Sequence, residues 1–97
     1  MNIRILDSAQ KDLTDGFWFY ENQEVGLGSY FLDALFSDVD SLNIYAGIHQ
    51  IYFENHHRLL SKRFPFAVYY RIKDSTVLVY AILDCRRNPA WIRKKLK

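Results

Sequence analysis

Proline, glycine, cysteine and methionine are all scarce in this chain: its 97 residues hold two prolines, four glycines, one cysteine and one methionine. A single cysteine, Cys85, excludes an intramolecular disulfide framework, and the cysteine and histidine positions lack the paired spacing that structural zinc requires. Neither a metal nor a cofactor is called for. No apolar run approaches the ~20 residues a membrane-spanning helix needs, and the opening MNIRIL has neither the apolar length nor the small-residue cleavage site of a signal peptide. The expectation is a cytoplasmic protein with no membrane partner. No repeat, linker or low-complexity segment interrupts the sequence, and a chain this short holds one core, so residues 1–97 form a single domain.

What the chain has is aromatic bulk and divided charge. Apolar residues make up 49% and aromatics 16%, with seven Phe and seven Tyr, so much of the burial rests on a few large side chains and disorder is excluded. The net charge of +2 hides two unlike halves. Residues 49–97 carry 11 Lys and Arg against 3 acids, a balance of +8, whereas residues 1–48 carry 2 bases against 8 acids, a balance of −6. A field of one sign on one face steers anionic ligands or acidic proteins toward it.

Asn2–Leu6 is a short β-prone run that stops at Asp7-Ser8, either of which can cap a helix. Ala9, Leu13, Phe17 and Tyr20 recur at spacings of three and four and predict a helix to about Asn22, weakened by Gly16. A second helical pattern follows Gly26 and Gly28, with Leu27, Phe31, Ala34, Leu35, Val39 and Leu42 on one side and the acids Asp33, Asp38 and Asp40 as a solvated face. Three strands are then expected: Arg58–Phe64, Phe66–Ile72 and, after a turn at Lys73-Asp74-Ser75, Thr76–Cys85. Alternation puts Phe66, Val68, Tyr70 and Ile72 toward the helices and Ala67, Tyr69 and Arg71 outward, where Leu60, Ala67 and Tyr69 leave an apolar groove. Val77, Val79, Ala81 and Leu83 mark the last strand as central. Asn88-Pro89 starts a short helix that ends in a cationic tail. The fold class is α+β, a helical hairpin on a four-strand, mostly antiparallel sheet that the N-terminal strand joins.

The residues that could engage a target or partner are Arg58, Lys62, Tyr69, Arg71, Arg86, Arg87, Trp91, Lys94 and Lys95. A ribonuclease needs cations to hold phosphate, aromatics to stack bases and a base to accept a proton. Arg58, Lys62, Arg71 and Arg86 could supply the first of these, and Tyr69 or Trp91 the second. The third is missing: His49, His56 and His57 fall in a segment read as solvated loop, and Asp84 and Glu54 serve more simply in ion pairs, Asp84 with Arg86 at its turn. Tyr70 reads as core, Cys85 as a buried strand thiol, and Trp91 as the residue that packs its helix on the sheet.

The order of elements, together with KRFPFAVYYRI and LDCRRNPAW, resembles the RelE/ParE superfamily of toxins from bacterial toxin-antitoxin operons. Its most specific parts are Arg63-Phe64-Pro65-Phe66 with Tyr69-Tyr70-Arg71, then Arg86-Arg87-Asn88-Pro89 with Trp91, and the paired-arginine form is more typical of the ParE-like branch. The chain departs from the pattern at Asp84, where relatives often have His, and at Asn88, where they have Asp. The resemblance implies a cognate antitoxin that wraps the toxin in a hetero-oligomer. It implies inhibition of DNA gyrase by binding for the ParE-like branch, cleavage of messenger RNA in the ribosome for the RelE-like branch, and antitoxin binding alone for a member that has lost activity.

Overall fold

The structure is a computed structural model and describes residues 2–97. Strand β1 (Asn2–Ile5) leads into helix α1 (Asp7–Glu21), followed by α2 (Leu27–Asp40) and the one-turn α3 (Leu42–Tyr45). The remainder is strands β2 (Ile51–Phe53), β3 (His56–Leu60), β4 (Phe66–Lys73) and β5 (Thr76–Asp84), closed by helix α4 (Pro89–Lys95). The class is α+β, as the sequence implies.

The helical hairpin forms because its apolar stripes meet at two glycines. A Cβ on Gly16 would lie 2.5 Å from the Phe31 ring, and one on Gly28 would lie 2.7 Å from the Phe17 ring and carbonyl oxygen. Gly16 therefore costs helix propensity but lets α1 and α2 touch. The turn between them is closed by the Glu21 carboxylate, which accepts hydrogen bonds from the amides of Gly26 (3.1 Å) and Gly28 (3.0 Å) at the start of α2. A negative group there satisfies free amides and suits the helix dipole.

The sheet has five strands in the order β1-β5-β4-β3-β2, with β1 parallel to β5 and the other pairs antiparallel. The expected four-strand sheet gains one because the histidine segment is a hairpin rather than a loop: Ile51 pairs with His57 and Phe53 with His56 across a turn where Glu54 takes a left-handed φ of 52°. Polar histidines and the Glu54-Asn55 turn hid the alternation. The strand expected at Arg58–Phe64 runs instead from His56 to Leu60, and Phe64 leaves it to join the rings of Tyr20, Tyr30 and Phe31 under the helices.

Two cores sandwich this sheet. Between it and the hairpin lie Ala9, Leu13, Phe31, Leu35, Val68, Tyr70, Val77 and Val79, and on the opposite face Ala67, Tyr69, Ala81 and Leu83 lie with Ile92 and Leu96 of α4. Ala67 and Tyr69 are thus fully buried, which corrects the expected outward groove; of its three residues only Leu60 is exposed. Alternation gave the face correctly but could not see that α4 covers it. Strand β5 contributes to both cores, because Tyr69 pairs with Ala81 and Tyr70 with Val79, leaving Tyr80 as an extra residue. That bulge turns Ala81 and Leu83 to the α4 side. Beyond the end of β1, α1 serves the β5 main chain directly: Ser8 Oγ donates to the Tyr80 carbonyl (2.7 Å) and Asp12 Oδ2 accepts from the Ile82 amide (3.0 Å).

Candidate interaction surface

Two cationic clusters form, one on the face of the sheet away from the helical hairpin and one at the turn after β5, between α1 and α4. In the first, β3 and β4 set Arg58 opposite Tyr69. Arg71 and His56 project on the same face. The Arg58 guanidinium lies 4.6 Å from the Tyr52 ring centre and that of Arg71 5.1 Å from Tyr80, while His56 meets Tyr80 edge-on. Glu54 approaches Arg71 at 3.8 Å, too long for a hydrogen bond. His56 Nε2, the Tyr69 hydroxyl and Arg71 Nε are buried without a hydrogen-bond partner among the described residues. Burial pushes the Tyr69 hydroxyl up to about 12, with the nearby Tyr52 adding to the shift and Arg58 opposing it.

The second cluster is the turn after β5. Asp84 holds Arg86 through Nε (3.0 Å), a terminal nitrogen (2.7 Å) and the main-chain amide (2.9 Å). Those bonds to Arg86 keep the Asp84 carboxyl below its usual value. Arg87 turns instead to α4, its guanidinium 3.9 Å from the Trp91 ring centre, with the Lys95 ammonium 5.3 Å from the same ring. Asn88 explains itself locally, since its side chain accepts from the Ala90 amide at 2.7 Å and caps α4.

Three expectations about the site are corrected. Tyr69 is no exposed anchor, being fully buried beside Tyr52 and beneath α4. The histidines are not solvated: His56 is fully buried and bonded to the Phe53 carbonyl, His57 stacks on Tyr70 and reaches the His49 carbonyl, and His49 meets the Tyr70 hydroxyl. Burial lowers the pKa of both His49 and His56. Asp38 leaves the solvated acidic face, since it is buried and accepts a 2.6 Å bond from the Ser61 hydroxyl. By contrast Lys62, Arg86, Arg87, Lys94 and Lys95 are exposed, and Arg58, Arg71 and Trp91 half-buried.

One residue of the site escaped the sequence reading. Asp12 lines a cleft of about 390 Å³ with Asp15, Phe19, Arg87, Trp91 and Lys95. Burial raises its carboxyl to about 6, while the Ile82 amide and the charge of Lys95 pull the other way. Its position three residues after Ala9 and one before Leu13 put it beside the apolar stripe of α1, and that adjacency was the available signal.

This arrangement, a helical hairpin and a C-terminal helix on opposite faces of one sheet, is shared with a solved structure from the chromosomal ParDE toxin-antitoxin system of P. aeruginosa. The likeness has a TM-score of 0.79 at 19% sequence identity and covers 84% of this chain and 92% of that one. It defines a class of small α+β proteins by fold. Within that class the chain belongs to the family described as the ParE toxin of the type II toxin-antitoxin system parDE, whose model matches residues 3–89. No curated protein sequence matches it.

Proposed function

We propose that this ParE-family toxin inhibits DNA gyrase by binding it, without a chemical step of its own, and that a cognate antitoxin neutralises it in a hetero-oligomer. Antitoxin and target engage the basic surface of Arg58, Lys62, Arg71, Arg86, Arg87, Lys94 and Lys95, with Trp91 presenting Arg87 and Lys95. The observation that carries the reading is how the basic turn is used: Arg86 is committed to Asp84, and all three histidines are engaged in the packing around β2 and β3. A turn whose cations are held in ion pairs and ring stacks is built to present charge, and such fields raise association rates.

One observation favours a second reading, a ribosome-dependent endonuclease. Asp12 shares its cleft with Arg87, Lys95 and Trp91 and titrates at about 6, near the range of a general base. Against this, Asp12 already accepts from the Ile82 amide and so acts as a main-chain anchor.

The test is to express the toxin with and without a candidate antitoxin, sought as a short reading frame adjacent to its gene, and to map messenger RNA ends in the arrested cells. The binding reading expects arrest, rescue by the neighbouring product and no codon-specific cuts. Cuts that vanish in both Arg87→Ala and a folded Asp12→Asn variant would replace it with the nuclease.

A further inference from the structure

The sheet face beside α4 repeats one unit twice: an arginine laid over a tyrosine. Arg58 over Tyr52 and Arg71 over Tyr80 stand on adjacent strands, and because Arg58 is opposite Tyr69, Arg71 is its diagonal neighbour on the same face. Diagonal neighbours across an antiparallel pair lie ~7–8 Å apart. Beside them run two shallow clefts of about 450 Å³ each, one lined by Gln50, Tyr52, Arg58 and Leu60, the other by Asn55, Arg71, Lys73 and Tyr80. We infer that this strip binds single-stranded nucleic acid directly, with the two guanidinium planes and their tyrosines as stacking platforms.

Three observations select that ligand. The first is the geometry of the arginines. A guanidinium laid on a tyrosine keeps its outer plane for a base and its edge for a phosphate, a combination that proteins binding single strands use. The second is unspent hydrogen-bonding capacity. Arg71 has only a long contact to Glu54, and among the described residues its Nε has no hydrogen-bond partner. A guanidinium with unspent N–H groups is a ready donor, and phosphate oxygens arriving on this strip supply acceptors. The third is charge complementarity, since this half of the chain carries 11 bases against 3 acids. An acidic peptide answers the charge but not the stacked planes, and a duplex buries the base faces that those planes would meet. Glu54, 3.8 Å from Arg71, opposes a phosphate there.

This inference goes beyond the toxin reading, and its test uses the toxin alone, without gyrase, ribosome or antitoxin, so its failure leaves that reading standing. The probe is a short fluorescein-labelled oligothymidylate followed by fluorescence anisotropy, with thermal unfolding recorded for every variant. The wild type binds with a negative salt slope, and Tyr52→Leu, which keeps apolar bulk, weakens binding about fivefold or more, the loss expected for one stacked base. Arg71→Lys keeps the charge and loses the planar group, so affinity falls while the salt slope stays. Glu54→Gln tightens binding. An oligouridylate arm tells whether the sugar is read; equal or weaker binding of RNA both fit the inference. It is overturned if the oligothymidylate does not bind, if Arg71→Lys binds like the wild type, or if unlabelled duplex or poly-glutamate competes as well as the single strand. The last result would assign the strip to an acidic protein.

Discussion

Asp12 illustrates how one side chain can hold the fold together and still weaken it. Its carboxylate ties α1 to the Ile82 amide of β5, yet burial raises its pKa from 3.8 to about 6. A folded-state pKa above the unfolded value means that the native state binds the proton more tightly. This contribution to stability is therefore fully present below the ordinary value and is lost as the pH rises through about 6. Asp12→Asn keeps an oxygen for the Ile82 amide and removes the buried charge. The variant should melt above the wild type at neutral pH, and the gap should close toward about pH 4, as read by calorimetry across a pH series. A gap independent of pH would show that Asp12 titrates normally. Tyr69 makes the opposite point: fully buried, it belongs to the fold rather than to an interface. Tyr69→Ala should cost about 3–5 kcal/mol in denaturant unfolding, so lost binding in that variant reports instability.

At the scale of elements, α4 decides which side chains are free. From sequence, Arg93 to Lys97 reads as a mobile cationic tail whose loss would weaken a charge-steered contact and spare the fold. The structure buries Leu96 with Ile92 against Ala67, Tyr69, Ala81 and Leu83. Deleting Arg93–Lys97 should therefore lower the melting temperature, whereas Lys94→Gln with Lys95→Gln should leave it nearly unchanged and remove two charges. Comparing the two in unfolding and growth assays separates the cap from its charge. The helical hairpin gives a matching case. Gly16→Ala raises helix propensity by roughly 0.5–1 kcal/mol but forces a methyl into the Phe31 ring, an overpacking that typically costs 1–3 kcal/mol. The variant should be less stable in urea, and a more stable one would mean that Phe31 moves aside.

Over the whole molecule, what was legible in the sequence followed periodicity. The stripes of α1 and α2, the β4 alternation, the Asn88 cap and the Asp84–Arg86 pair all show in local spacing, because helix and strand periods and near-neighbour charge are local properties. Three features were not local. The bulge at Tyr80 changes the face of Ala81 and Leu83 with no glycine to announce it, the β2–β3 hairpin hides behind polar histidines, and the burial of Ala67 and Tyr69 depends on a helix that starts 20 or more residues away in sequence. The site suffered most from this. Its arginines were visible as a charge count, but their pairing with Tyr52, Tyr80 and Trp91 is a product of the fold.

The central claim is that this toxin acts by binding through that basic surface. The most direct measurement is DNA supercoiling by purified gyrase titrated with purified toxin, alone and after mixing with the product of the neighbouring reading frame. Inhibition should rise with toxin concentration, be relieved by the neighbouring product, and weaken in the folded Lys94→Gln, Lys95→Gln variant as the steering charge is removed. Undiminished supercoiling at toxin concentrations that arrest growth would contradict the account and move the target away from gyrase.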